Sequence, residues 1–198
     1  MILPIVAYGS PVLKKMAEEI DKDYPNLKEL IENMWETMYA ANGVGLAAPQ
    51  IGLPIRLFVV DASPFAQDPE EDDDPKELEQ LKDFKKVFIN PIIEEETGAE
   101  WPFKEGCLSI PEIREEVKRK PDIVISYYDE NWELKEESYS GFAARVIQHE
   151  YDHVEGILFT DRLHPLRRNL LRGRLDDIAK GKVDVDYKMK FNIKKKGR

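Results

Sequence analysis

Cysteine and histidine are scarce in this chain of 198 residues, which contains one cysteine, Cys107, and three histidines. A single cysteine cannot form an intramolecular disulfide, so the sequence is not a disulfide-stabilised secreted scaffold, and a reducing compartment is favoured. Long apolar runs are also absent, because no stretch approaches the roughly 18 consecutive apolar residues of a membrane span. Residues 1–8 lack the basic and apolar regions of a signal peptide. The sequence therefore predicts a cytoplasmic protein that does not associate with a membrane.

Positive charge is in deficit, because 39 aspartates and glutamates outnumber 29 lysines and arginines and leave a formal net charge of −10. An acidic chain is a poor candidate for coating DNA through its phosphates. Nine acidic residues fall within residues 68–83, and we expect an acidic surface insertion over residues 64–83. Residues 162–198 carry 13 basic and 4 acidic residues, and we expect a basic C-terminal extension over residues 181–198. Both are parts of one predicted domain, residues 1–198.

Apolar periodicity and turn residues indicate a mixture of helices and strands. Most of the strands precede the second long helix in a block and do not alternate with helices, so the sequence predicts the α+β class. The predicted helices cover residues 11–18, 25–41, 75–82, 141–155 and 165–179, and the predicted strands cover residues 56–61, 85–90, 112–118, 123–128, 132–138 and 183–191.

The strongest chemical motif is an H-E-x-x-H sequence, in which His149 and His153 flank Glu150. Residues four apart lie on one face of a helix, so two imidazoles can bind one metal ion and the glutamate can reach a water bound to it. A catalytic site usually needs a third protein ligand and one open position. The protease pattern that supplies a third histidine fails here, because that position holds Phe159. Cys107 is the remaining soft ligand, although a lone cysteine is more often a small buried hydrophobe.

A third segment, residues 43–50, consists of small and apolar residues and ends in one polar side chain, Gln50. Taken alone it is typical of a loop and a close-packed strand whose glycines supply unusual backbone angles. Small residues also let a backbone approach a ligand closely, and a glutamine near a metal is suited to donate a hydrogen bond to an oxyanion.

These three segments together resemble the peptide deformylases. That family carries the motifs G-Φ-G-Φ-A-A-x-Q (Φ apolar), E-G-C-L-S and Q-H-E-x-x-H in this order, and the chain matches them at residues 43–50, 105–109 and 148–153. The resemblance spans about residues 1–163. It implies antiparallel sheets packed around a central helix that carries the H-E-x-x-H motif, together with an N-terminal helix.

The resemblance also implies a reaction and a metal site. The family removes the N-formyl group from the initiator methionine of new polypeptides and releases formate. By resemblance, Cys107, His149 and His153 bind one divalent metal ion, and a water in the fourth position attacks the formyl carbon. Glu150 corresponds to the general base that later donates the proton. The ion expected in the cell is Fe(II), and Zn(II) or Ni(II) are alternatives in purified protein.

The remaining roles concern the substrate. By resemblance, the side chain of Gln50 and the backbone N–H of Leu108 bind the developing oxyanion. A methionine pocket and an added substrate strand complete the site. The residues expected to bind the substrate are Val44, Gly45, Ile110, Phe142 and Val146.

Two other functions remain open from the residues themselves. A metalloprotease would cleave internal peptide bonds and need no Cys107, whereas a metal-stabilised binding module would tolerate Glu150→Gln. The expected partners are N-formylmethionyl nascent peptides. The basic end, which includes Lys188, Lys190 and residues 194–198, is either a weak ribosome contact or a solvated tail.

Overall fold

The computed structural model describes residues 1–69, 71 and 73–193. The helices are α1 (Leu27–Ala40), α2 (Pro64–Gln67), α3 (Pro75–Leu81), α4 (Gly141–Val154) and α5 (Pro165–Ala179). The strands are β1 (Ile5–Val6), β2 (Gly45–Ala47), β3 (Leu57–Asp61), β4 (Lys85–Thr97), β5 (Trp101–Cys107), β6 (Ile110–Arg119), β7 (Asp122–Tyr128), β8 (Leu134–Ser140) and β9 (Met189–Lys190).

Antiparallel pairing dominates the structure. A five-stranded sheet has the order β2-β3-β4-β7-β8, and all its neighbouring strands are antiparallel. Strands β5 and β6 form a separate antiparallel hairpin, and β1 pairs with β9 in parallel. The predicted α+β class, with antiparallel sheets and few helices, is confirmed.

The first four residues of strand β3, residues 57–60, form an uninterrupted apolar run because both faces of the strand are covered. Successive side chains of a strand point to opposite faces. Leu57 and Val59 pack in the core that also holds Met34 and Met38 of α1. Phe58 and Val60 pack in the core that includes residues of α4, such as Ile147. The five-stranded sheet therefore lies between α1 and α4, and β2 and β3 provide a rigid support for both helices.

Helix α4 lies in the middle of the molecule, where ten of its fourteen residues are buried. Its N-cap residue, Ser140, provides no side-chain hydrogen bond, and the backbone N–H of Phe142 donates instead to Oε1 of Glu77 in α3 (2.6 Å). Gly141 precedes this amide with φ +58°, and a Cβ there would collide with the carboxylate of Glu77. The first turn of α4 is thus capped by a side chain from the acidic stretch.

Two predicted elements were wrong. In place of a helix over residues 11–18, Pro11–Lys14 forms one 3₁₀ turn. The chain then runs extended, because the N–H of Ala17 donates to the carbonyl of Val154 at the end of α4 (2.8 Å). In place of a strand over residues 183–191, only Met189–Lys190 pair, because β1 is two residues long and Pro4 before it has no N–H to donate.

Strand β4 continues well past the predicted end at Asn90. Asn90 adopts φ +50° at a register shift in the ladder with β7, and the sequence Asn-Pro there resembles a turn. Its side-chain amide exchanges two hydrogen bonds with the backbone of Ile20, at 3.0 and 2.7 Å, which hold the irregular conformation. None of the helices in the described ranges is both long and apolar enough to cross a membrane.

Candidate active site

The three predicted metal ligands converge at the middle of α4. Cys107 ends β5, and His149 and His153 lie one turn apart on α4. The Sγ of Cys107 is 3.4 Å from Nε2 of His153, and one ligand atom from each of the three residues lies within 4.8 Å of the other two. His153 is buried, the side chain of His149 is 11% exposed, and Cys107 is half-buried. The tertiary fold therefore joins two motifs that are more than 40 residues apart.

This donor set suits a divalent transition metal. One thiolate and two imidazoles are a known ligand combination for catalytic zinc, with a fourth position left open. Burial and the neighbouring His149 lower the pKa of His153 well below its ordinary value, which keeps its ring in the neutral form that binds metals. In the described part of the chain, Nδ1 of His153 and Oε2 of Glu150 are buried without a hydrogen-bond partner. The unpartnered carboxylate oxygen is a suitable acceptor for a water near the metal.

Glu150 occupies a tight, buried niche beside strand β2. Burial raises the pKa of its carboxyl to about 7. Strand β2 passes so close that a Cβ on Gly45 would lie 2.4 Å from Oε1 of Glu150, so a glycine is required at this point of the strand. A carboxyl group that titrates near neutral pH is suited to both accepting and donating a proton.

A buried ion-pair network holds His149, and the sequence analysis assigned no role to it. Nδ1 of His149 donates to Oε1 of Glu105 (2.8 Å), and Arg119 binds the same carboxylate through two nitrogens at 2.7 and 2.9 Å. Arg145 donates to it as well (2.9 Å), and Arg119 continues the network to Asp152 (2.8 Å). Burial opposes ionisation of Glu105, but these hydrogen bonds outweigh it and lower its pKa. The network fixes the ring of His149, one of the three residues that could hold a metal ion.

The signal for this network was present in the motifs themselves. Glu105 opens the E-G-C-L-S segment and Asp152 precedes His153, so both acids adjoin metal ligands in the sequence. Arg119 and Arg145, however, lie in segments with no motif. Only the packing of β6 against α4 brings their guanidinium groups to the two carboxylates.

Gln50 and Leu108 both lie next to Cys107, the cysteine predicted to bind the metal. Gln50 is buried, and its Oε1 accepts from the N–H of Ala47 (2.9 Å). That bond orients Nε2 towards Sγ of Cys107 (3.5 Å) and Oγ of Ser109 (3.4 Å). Leu108 and Ser109 form the turn between β5 and β6, immediately after the cysteine. The side-chain amide and the turn thus both lie beside Cys107.

A groove of about 830 Å³ runs along these residues. Four of the five residues expected to bind substrate line it, namely Val44, Gly45, Ile110 and Val146. Phe142 does not line the groove but stacks behind it on Phe65, with ring centroids 5.0 Å apart and planes 5° apart. Phe65 and Phe103 present their rings to the groove. Sequence reasoning missed Phe65 because it lies in the acidic, proline-containing stretch.

Among the described residues, those that follow His153 add no further member to the metal-binding group. Glu155 forms an ion pair with Arg56 (2.6 Å). Phe159, which occupies the position of a third histidine in the protease pattern, stacks against the ring of His149 with centroids 6.0 Å apart. An H-E-x-x-H helix, a cysteine from a separate hairpin beside its two histidines and a groove along them are together the features of one class, the metallohydrolases that act on peptide substrates.

Comparison with known proteins gives the family. The family model for polypeptide deformylase matches residues 2–169. The peptide deformylase of Christiangramia forsetii is 65% identical over 198 residues, with both chains fully covered, and that of Flavobacterium psychrophilum is 58% identical over 196 residues, covering 99% of this chain and all of the relative. The chain therefore belongs to the polypeptide deformylase family. It is a metalloenzyme and a hydrolase that removes the formyl group from N-formylmethionine at the start of a polypeptide.

Solved structures agree with this assignment. The crystal structure of peptide deformylase from Thermotoga maritima is 40% identical, has a TM-score of 0.71, and covers 83% of this chain and 99% of its own. The deformylase from Legionella pneumophila is 35% identical with a TM-score of 0.75, covering 92% of this chain and 98% of its own.

Proposed function

We propose that this deformylase holds one divalent metal ion through Cys107, His149 and His153, and that Glu150 acts as general base and then as general acid. The observation that supports this most is the position of Glu150. Its carboxylate is buried, directly after His149 and three residues before His153 on α4, with one oxygen that has no protein partner among the described residues. A carboxylate in such a place must find its partner in the reacting molecules.

The reaction divides into proton transfer and charge stabilisation. A bound divalent ion supplies Lewis acidity, which lowers the pKa of a nearby water and polarises a carbonyl oxygen. Glu150 takes a proton from the attacking water and delivers it to the nitrogen of the departing amine. The products are formate and a free α-amino group. Nε2 of Gln50 and the backbone N–H of Leu108 donate hydrogen bonds to the formyl oxygen as it gains negative charge.

The substrate is proposed to lie along the groove as an added strand. Val44 and Gly45 of the β2 region and Ile110 of β6 all line the groove, which suits main-chain pairing with an extended peptide. Val146 lies beside the two histidines and is proposed to contact the methionine side chain. Phe142 acts one layer further back, because it supports the ring of Phe65.

The test is formate release from a formyl-Met-Ala-Ser peptide by protein purified without oxygen. Wild type should release formate, Glu150→Gln should retain metal and fold but lose nearly all turnover, and Cys107→Ala should lose metal. Peptide fragments in place of formate would identify a protease. Metal bound equally by all three proteins, with unchanged turnover in Glu150→Gln, would refute the assigned roles.

The metal is proposed to be Fe(II) in the cell, with Zn(II) or Ni(II) as alternatives in purified protein, since thiolate and imidazole ligands suit all three ions. Elemental analysis of protein prepared with and without oxygen tests this assignment. Iron that is present only in the anaerobic preparation would support it. A preparation that contains stoichiometric zinc and no iron under both conditions would contradict it.

We further propose that residues 1–198 act as one cytoplasmic catalytic domain with an insertion at residues 64–83 and a basic extension at residues 181–198. Newly made polypeptides are the substrate, so a weak ribosome contact through the extension is reasonable. Lys188 and Lys190 are exposed, and residues 194–198 lie outside the described residues. Co-sedimentation with ribosomes at low salt, with and without residues 182–198, tests the contact. Equal binding by both proteins would exclude it.

A further inference from the structure

The turn between β5 and β6 is held from both sides by the two ends of the chain. The hydroxyl of Tyr187 donates to the carbonyl of Leu108 (2.8 Å). The backbone N–H of Tyr8 donates to the carbonyl of Ser109, also at 2.8 Å. Both carbonyl groups of this two-residue turn are therefore bound by segments that are distant in sequence. The turn is fixed by these contacts in addition to its own hairpin.

The segment that contains Tyr187 is well anchored. Residues 183–191, here called the C-terminal strap, alternate between half-buried and exposed side chains, with the odd-numbered residues inward. The N–H groups of Ile5 and Ala7 donate to the carbonyls of Lys188 and Lys190, both at 2.9 Å. Val183, Met189 and Phe191 pack on the core beneath α5. Backbone and side-chain contacts thus hold the strap on either side of Tyr187.

Tyr187 is also part of the active-site surroundings. It packs with Leu108 against the core that includes Met38 and Leu46, and together with Val185 and Asp186 it forms one wall of the groove. The match to the family model ends at residue 169, so the strap lies beyond the matched region. The strap nonetheless contacts the residue that follows the cysteine ligand.

We propose that Tyr187 is a positioning residue for deformylation, which holds the Leu108 turn so that its backbone N–H points at the formyl oxygen. The inference rests on the proposed role of Leu108 as an oxyanion donor. Donors of this kind act only when they are preorganised within a few tenths of an ångström. Without the hydroxyl, the carbonyl of Leu108 loses its side-chain donor, so the Leu108–Ser109 peptide plane, which adjoins the plane that carries the N–H of Leu108, is held less firmly.

The experiment compares Tyr187→Phe with wild type and with Tyr24→Phe, a matched control. Tyr24 packs against the same core but is not assigned to the site. We expect Tyr187→Phe to lower kcat by about 10-fold with KM unchanged, since a small misplacement of a catalytic group reduces rate more than binding. Metal content and Tm should stay close to wild type. Tyr24→Phe should leave kcat and KM unchanged.

Three results would overturn the inference. They are a kcat for Tyr187→Phe within twofold of wild type, a rise in KM with kcat unchanged, and a loss of kcat that is matched by loss of metal or of Tm. A parallel Gln50→Ala variant distinguishes failure of the proposed oxyanion site from failure of the Tyr187 role alone. If Gln50→Ala leaves kcat unchanged at full metal content, the proposed oxyanion site is wrong and the role of Tyr187 falls with it. If Gln50→Ala lowers kcat and Tyr187→Phe does not, only the role of Tyr187 is refuted.

Discussion

The contact between Gly45 and Glu150 allows a quantitative prediction for Gly45→Ala. A Cβ at residue 45 would lie 2.4 Å from Oε1 and 2.7 Å from Cγ and Cδ of Glu150, whereas ordinary contacts begin near 3.4 Å. The added methyl must therefore displace the carboxylate by about 1 Å, since the rigid sheet core around β2 resists movement. Glu150 is 4% exposed and has little room to move aside.

The displacement should affect catalysis more than folding. A misplacement of about 1 Å costs on the order of 100-fold in rate, which corresponds to about 2.7 kcal/mol in the barrier. Overpacking of a core typically costs about 1–3 kcal/mol in the free energy of unfolding. We expect kcat/KM for formate release to fall about 100-fold, while metal content stays at wild-type level because the three atoms nearest to the new methyl group all belong to Glu150 and none to the proposed ligands.

Gly173→Ala is the matched control, because a Cβ at residue 173 in α5 meets nothing within 4 Å in the described chain. This variant should keep full activity and gain about 0.5–1 kcal/mol of stability, since alanine is the better helix former. The assays are formate release, elemental analysis and denaturant unfolding on all three proteins. A Gly45→Ala enzyme with kcat/KM within threefold of wild type would refute the steric reasoning and the assigned position of Glu150.

Three further predictions follow from the contacts around the site and the sheet. Glu105→Gln should weaken metal binding about 10–100-fold, because His149 loses its charged partner. Competition with a metal chelator measures the metal affinity, and an unchanged affinity would contradict this prediction. Phe65→Ala should raise KM for formyl-methionyl peptides with a smaller change in kcat, because the groove loses an aromatic ring from its lining. An unchanged KM would exclude a role for Phe65 in binding the substrate. Burial opposes ionisation of Glu137, but hydrogen bonds from two tyrosines outweigh it and lower its pKa below 4.5. Its stabilising effect is therefore present above pH 4.5 and lost as pH falls through the lower folded pKa, so the Tm gap between wild type and Glu137→Gln should be largest near pH 6 and close in acid.

Strong local patterns predicted the helices well. The three long helices begin and end within two residues of the predicted bounds, because apolar spacing, a proline or a terminal glycine marks each of them. Strand β5 was missed for a physical reason. Its inward positions include the charged residue Glu105, and Pro102 lies within it, so it lacks the apolar alternation of a strand. The strand is stable because buried arginines neutralise that carboxylate, and no local pattern reveals them.

The sequence by itself determined the family and the reaction, and it predicts the ligand types, because three short motifs carry residues whose chemistry is specific. The motif residues can be identified in the sequence without knowledge of how the fold brings them together. Only the tertiary structure decided which side chains control those residues. Four contacts around the site join segments that are distant along the chain. They are those of Gly45 with Glu150, of two arginines with Glu105, of Phe65 with Phe142, and of the Tyr187 hydroxyl with Leu108. Such contacts arise from packing between helices and strands, so the apolar periodicity of a single helix or strand does not predict them.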